Sequence, residues 1–242
     1  MSKVEVKRGN IFTSECQTLV NTINCVGVMG AGIALEFKLR HPTMFEKYAE
    51  HCQKKMIDIG KLWIYKPSAD DKDRRWVLNF PTKRDWKNPS KIEYLEAGLK
   101  KFLETYHSKG IESIAFPVLG STNGGLGEEE SLSVMLKYLN ECSIPVEIYR
   151  YDPEALDDLY EDFKHKFMRM SDCQLSGALR LRLDLIGKIR EAMEWEHGIN
   201  SISQLASVKG IGLVSLEKSF RYIMDNPEQE QPDMLQSLND TP

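Results

Sequence analysis

The chain has 242 residues, 41% hydrophobic and 28% charged, with a formal net charge of −4, so composition places it among soluble globular proteins. The opening MSKVEVKRGN lacks the apolar stretch of a secretory leader, and no apolar run approaches a membrane span. Five cysteines form no CxxC pair and leave an odd one, which argues against a disulfide framework and for a reducing, cytoplasmic setting.

VEVKRGNIF opens as a strand, and TLVNTI within SECQTLVNTIN is β-branched and apolar enough to be a buried second strand. The loop NCVGVMGAG follows, then a helix to about Lys38. HPTMFEKYAEHCQKK reads as a helix with Pro42 at its start. KLWIYKP and RWVLNFPT read as strands joined by the polar turn SADDKDR. SKIEYLEAGLKKFLETYHSKG is an amphipathic helix with Ile92, Leu95, Leu99, Phe102 and Leu103 on one face and Gly110 as its cap. IESIAFPVLG is a buried strand that ends in a second glycine-rich loop, GSTNGGLG. EEESLSVMLKYLNEC places three acids in the first turn of a helix, where they match its dipole. PVEIYRY is the last strand, and Asp152-Pro153 marks a boundary.

Strands alternating with helices predict an α/β domain over 1–152, a mixed sheet layered between helices. Beyond 153 no strand is evident. PEALDDLYEDFKHKF and SGALRLRLDLIGKIREAMEWEHG each read as a helix, giving a small all-helical region over 153–224. DNPEQEQPDMLQSLNDTP, 225–242, reads as a disordered tail. Charge divides at the same place. Residues 1–152 carry 22 Lys and Arg against 20 Asp and Glu, and the remainder 10 against 16.

The stretch NTINCVGVMGAGIALEFKLRHP, Asn21 to Pro42, carries the first chemical signal. Its glycines let a ligand approach the backbone, and a loop feeding a helix N-terminus offers free N–H groups to an anion. The amides of Asn21 and Asn24 suit sugar hydroxyls. GVMGAG fits G-x-x-G-x-G, neither the dinucleotide fingerprint nor a Walker A loop. The plainer reading is a strand-to-helix connection with glycines for packing.

Three ordered motifs, VNTINCVGVMGAGIA, NFPTKRDW and PVLGSTNGGLG, together resemble a macro domain, and most closely the macro domain of DarG antitoxins, which remove ADP-ribose from DNA bases. The resemblance covers roughly residues 1–152. It implies a hydrolase acting on ADP-ribosylated DNA, the antitoxin or reversal factor to a DNA ADP-ribosyltransferase toxin, with no cofactor and no metal. A non-catalytic reader of ADP-ribose and a hydrolase of protein-linked ADP-ribose are the alternatives.

Carried over by position, Asn24 and Lys83 form the catalytic pair beside the distal ribose, and Asn21 supports the strand end. Backbone amides of Val28, Met29, Gly30, Ala31 and Gly32 line the distal ribose and diphosphate. Gly120, Ser121, Thr122, Asn123, Gly124, Gly125 and Leu126 form the second diphosphate loop, a nest of converging N–H groups. Asn10 and Ile11 stand where many macro domains have Asp-Ile, and Asn10 is expected to accept from the adenine amino group. Tyr149 or Tyr151 flanks adenine, unless both are ordinary strand tyrosines. Gly127, followed by Glu128, replaces the aspartate found just after the second loop in relatives with a lysine-dependent mechanism. By alternation, Arg84 points away from Lys83 toward a phosphate of the modified strand, and Trp86 offers a stacking face. Cys25 has no histidine near it in sequence and is rejected as a nucleophile.

INSISQLASVKGIGLVSLEKSFRYI resembles a helix-hairpin-helix. Ser201 and Gln204 form a capping-box pattern, and Lys209, Gly210 and Gly212 are candidate contacts to a DNA phosphate. A hairpin used for packing stands equally open.

Overall fold

The computed structural model describes residues 4–68, 73–195 and 198–226. One six-stranded sheet runs in the order β1-β6-β5-β2-β4-β3. Its strands are β1 (Val4–Gly9), β2 (Thr18–Asn24), β3 (Trp63–Tyr65), β4 (Trp76–Lys83), β5 (Ile114–Pro117) and β6 (Val146–Tyr151). Only β3, at the edge beside β4, runs antiparallel; the other pairings are parallel. This is the mixed sheet that the alternation of strands and helices predicts.

Strand alternation sorts the core into two layers. Val20, Leu78 and Ile114 face a layer closed by Leu95, Leu99 and Phe102 of α3 (Ile92–Lys109) and Met135 and Leu139 of α4 (Glu128–Leu139). Their neighbours Leu19, Val77 and Ala115 face the opposite layer, closed by Phe37 of α1 (Gly32–Arg40) and by Met44 and Tyr48 of α2 (Pro42–Gln53). Gly98 of α3 sits directly on Phe80, where a Cβ would come within 2.1 Å of the ring. Gly110 takes φ +77° and ends α3 as expected. After β1 the chain makes a 3-10 turn, Ile11–Thr13, rather than extending the strand through Phe12.

The C-terminal part is helical in the described residues: α5 (Asp158–Arg169), α6 (Asp172–Leu179), α7 (Leu183–Met193), α8 (Ile202–Ala206) and α9 (Leu213–Asp225). One expectation is corrected. Ser176–Gly198 is not one helix, because Arg180 adopts φ +52° and divides it into α6 and α7. The break lets Leu175 and Leu179 on one side and Ile186 and Ile189 on the other enter the same core. The reciprocal capping box forms at Ser171 and Gln174. At Ser201 only half forms: its hydroxyl takes the Gln204 N–H, while Gln204 Oε1 takes the N–H of Asn200. The tail expected over 225–242 lies outside the described residues from 227 onward.

The helical core is not separate from the sheet. Leu35 of α1 is a buried member of it, packed with residues such as Tyr160, Leu205 and Leu216, while Phe37 serves the sheet layer. Helix α1 is thus buried on two sides. Arg40 of α1 reaches Asp157 at 2.8 Å and Asp158 at 2.9 Å, and Lys38 reaches Glu217 of α9 at 2.7 Å. The α1 helix, whose N-terminus faces the first glycine loop, is therefore held by both parts of the chain.

Candidate functional site

A cleft of about 730 Å³ runs over the C-terminal ends of the strands, where parallel sheets bind ligands. Its volume lies in the range of nucleotide-sized sites.

The first loop starts where the β2–β4 register shifts between Ile23 and Asn24. Asn24 is 7% exposed, and its side chain organises the loop. Oδ1 accepts the N–H groups of Val26 at 3.0 Å and Val28 at 3.3 Å, and Nδ2 donates to the Val28 carbonyl. The Tyr48 hydroxyl donates from below to the Asn24 backbone carbonyl at 2.8 Å. The loop then turns through Gly32, at φ +55°, into α1.

The second loop follows β5. Its closure is a backbone-on-backbone fit: a Cβ on Gly124 would lie 2.1 Å from the Gly120 carbonyl oxygen. Leu126 N–H returns to that same oxygen at 3.0 Å, and Ser90 N–H takes the Gly124 carbonyl at 2.8 Å. Across the cleft a Cβ on Gly32 would meet Asn123 Nδ2 at 2.3 Å, so the loops touch over the channel. Both glycine motifs therefore line one ligand path.

Lys83 ends β4 at one end of this path. Its ammonium donates to the Asn123 carbonyl and, at 3.5 Å, to that of Trp86. Partial burial lowers the lysine below its ordinary basicity. Trp86 lines the cleft with 52% of its surface exposed, and Lys87 lies over its ring at 5.3 Å from the centroid. Arg84 is directed elsewhere and pairs with Asp58 at 2.9 Å. Burial pushes the Cys25 thiol up to about 11, and its sulfur donates to the Lys83 carbonyl, which agrees with rejecting it as a nucleophile. Gly127 is the N-cap of α4, and Glu128 beside it pairs with Arg150 at 3.2 Å instead of lining the cleft.

The opposite end is bounded by Asn10, Ile11, Tyr149, Tyr151 and the N-terminus of α8. Tyr149 is buried with its hydroxyl on Glu147, whereas Tyr151 is 55% exposed and accepts from Gln204 Nε2 at 3.2 Å. Sequence reasoning missed several residues here. Glu36, Ser203, Gln204 and Leu213 line the cleft, three of them from the helical region. Glu36 carried one signal, a carboxylate between Leu35 and Phe37 on a helix buried on both sides; the other three depend on long-range packing.

Several expected ligand residues stand outside the lining. Asn21 points into the sheet layers and donates to Asn79 Oδ1 at 2.9 Å. Met29 is turned inward, its side chain part of the core below the loop. Gly125 and Leu126 form the outer return of the second loop, Leu126 packing on the α3–α4 layer. Lys209, Gly210 and Gly212 are exposed on the α8–α9 turn, away from the cleft. Gly210 takes φ +93°, with Lys188 beside it in a groove also lined by Arg180 and Arg182.

A mixed sheet between helices, with two glycine loops converging over its strand ends, defines a macro domain, and the family model described as Macro domain matches residues 20–135. The chain belongs to the macro-domain family. Within it the likeness runs to the DarG type. The macrodomain of Thermus aquaticus DarG is 37% identical with a TM-score of 0.56, covering 62% of this chain and 98% of that one. Thermosipho africanus DarTG in complex with ADP-ribose is 37% identical, TM-score 0.59, over 66% of this chain and 44% of that one. The curated DNA ADP-ribosyl glycohydrolase of T. aquaticus is 39% identical over 148 residues, 60% of this chain. This chain spans about 40% of that relative's length.

Proposed function

We propose that the chain hydrolyses the bond between ADP-ribose and a nucleobase of ADP-ribosylated DNA, acting as the reversal factor or antitoxin to a DNA ADP-ribosyltransferase. The observation that carries this is Lys83. Its partly buried amine, of lowered basicity, opens at one end of a cleft whose middle is built from two phosphate-cradling loops. With the diphosphate between the loops, the distal ribose lies beside Lys83 and the adenine at the Tyr151 end. The amine either attacks C1 of the opened sugar, expelling the base with a proton and leaving an imine that water hydrolyses to ADP-ribose and free lysine, or it protonates the base as the C1–base bond breaks and water takes the base's place at C1. Asn24 acts by fixing the loop that presents Val28 and its neighbours. The role left vacant by Gly127 is not filled by Glu128, which Arg150 holds away.

Trp86 is placed to stack on a base of the modified strand. Arg84, across the strand from Lys83, and the hairpin turn at Lys209, Gly210 and Gly212 are the proposed phosphate contacts. Lys188 and Arg180 add positive charge beside that turn, while Arg182 is paired with Asp184. Among the described residues no helix is long and apolar enough to cross a membrane.

The deciding experiment gives the chain ADP-ribosylated DNA and ADP-ribosylated protein side by side and follows free ADP-ribose. Release from DNA alone supports the proposal. Release from protein alone moves the substrate to protein-linked ADP-ribose, and binding without release from either makes the chain a reader.

A further inference from the structure

The residue expected to read the base is already engaged. Asn10 Oδ1 accepts the Phe12 N–H at 3.0 Å, and Nδ2 donates to the Leu156 carbonyl and to Asp157 Oδ2, each at 3.1 Å. Asp157 is engaged in turn. Oδ1 takes the Tyr160 N–H at 2.8 Å, and Oδ2 takes Arg40 at 2.8 Å as well as Asn10. Asp152 is bound to the Glu154 N–H and to Arg8. Of the carboxylates lining the cleft, one oxygen stands apart.

Glu36 lines the same end of the cleft from α1 and is 5% exposed. Its Oε1 accepts the Ser203 N–H at 3.0 Å, while Oε2 is buried without a hydrogen-bond partner. The Ser201 oxygen accepts the Gln204 N–H, and its hydroxyl, the nearest protein donor besides the Ser203 N–H, faces this carboxyl outside ordinary hydrogen-bond geometry. Leaving a buried carboxylate oxygen undonated costs stability, more than for a neutral acceptor, and such atoms in native folds call for a use. Ionised, the atom has the chemistry to take an N–H from a ligand and to repel a carbonyl. Behind it the first turn of α8 closes the wall, fixed by Gln204 on the Pro153 carbonyl at 2.9 Å and on Tyr151.

Resting on the reading of the cleft as an ADP-ribose site, we propose that Glu36 Oε2 accepts the 6-amino group of the adenine, so that Glu36 and not Asn10 sets base identity, in a subsite completed by the helical region. A 6-oxo purine would bring two acceptors together there and be disfavoured.

The test measures binding of ADP-ribose and of inosine diphosphate ribose, which differ at that position, to the full chain and to Glu36→Gln at about pH 8.5, where a carboxyl raised to about 7 is ionised. The wild type is expected to prefer ADP-ribose by at least about tenfold, the effect of one mispaired polar contact. In Glu36→Gln the amide can rotate to donate to the 6-oxo group, and the preference is expected to shrink to about threefold or less. Equal wild-type affinity for the two ligands overturns the proposal without needing the variant. An unchanged preference in a Glu36→Gln protein of near wild-type melting temperature overturns it also. Failure to bind either ligand at millimolar concentration instead overturns the ADP-ribose reading underneath, and the proposal with it.

Discussion

Leu213 of α9 rests on Gly30 of the first glycine loop, so close that a Cβ on Gly30 would meet its Cδ2 at 3.2 Å. The residues lie 183 positions apart in sequence, yet both line the cleft. The helical region is thus a wall of the site and not an appendage. A fragment ending at residue 152 would lose this wall, uncover Leu35 and strip Arg40 of Asp157. Removing one partner of a buried ion pair is costly. The fragment is expected to melt lower than the full chain and to bind ADP-ribose at least about tenfold more weakly, roughly 1.4 kcal/mol. Titration calorimetry on both proteins checks this. Equal affinities would show that the wall does not touch the ligand.

Gly124 supplies a sharper test of the second loop. Its missing Cβ would face the Gly120 carbonyl at 2.1 Å, and a backbone oxygen cannot swing aside as a side-chain tip can. Gly124→Ala should therefore open the loop and misplace the N–H groups offered to the diphosphate. The expected loss is about 1–3 kcal/mol of ADP-ribose affinity, the scale of a displaced hydrogen-bonding group, with the fold retained. Wild-type affinity in this variant would remove the loop from the site.

The sheet was readable because Leu19 and Val20, or Val77 and Leu78, alternate between two apolar layers, a pattern confined to adjacent residues. The two loops were readable because positive-φ glycines such as Gly32 and Gly120 leave a compositional mark. What was not legible was of another kind. Asn10 lines the cleft, but the bonds of its amide to Leu156 and Asp157, 146 and 147 residues away, leave no local mark. The break at Arg180 has no glycine or proline to announce it; a shared helical core imposes it. Glu36 and Ser203 meet only through the docking of α8 on α1, which no local period encodes.

Glu36 should also leave a trace in the pH dependence of folding. Burial and the charge of Asp157 raise its carboxyl from 4.5 to about 7, opposed by the Ser203 N–H and Arg40. A carboxyl raised in the native state keeps its proton after the unfolded chain has lost it. Its contribution is therefore full below about pH 4.5, declines as pH rises toward 7 and is lost above it, by at most about 1.4 kcal/mol per pH unit. The absolute curve sums over every titrating group, so the measurable quantity is a difference between two proteins that share all the others. Glu36→Gln should gain stability relative to wild type between pH 4.5 and 7.5 in urea denaturation. Parallel curves for the two proteins would refute the raised carboxyl.

Lys83 decides whether the cleft performs chemistry. Among the described residues its ammonium donates to the backbone carbonyls of Asn123 and Trp86 and pairs with no carboxylate. Burial alone acts on it, and burial favours the neutral amine. That is the state required for attack on the opened sugar, and a lowered pKa also makes the ammonium a better proton donor to a leaving base. In either role Lys83→Ala should cut turnover on ADP-ribosylated DNA by about 10²–10⁴, or about 2.7–5.4 kcal/mol in barrier. ADP-ribose affinity should stay within a few-fold, because on the proposed reading the diphosphate is held by backbone groups of the two loops. Lys83→Arg should fail as well, since a guanidinium neither deprotonates nor fits the same space. The two roles separate under borohydride: a covalent route leaves a trapped adduct on wild type that Lys83→Ala cannot form, whereas an acid leaves none. Turnover at the wild-type rate in Lys83→Ala would take the lysine out of the reaction and leave it as a prop for Asn123.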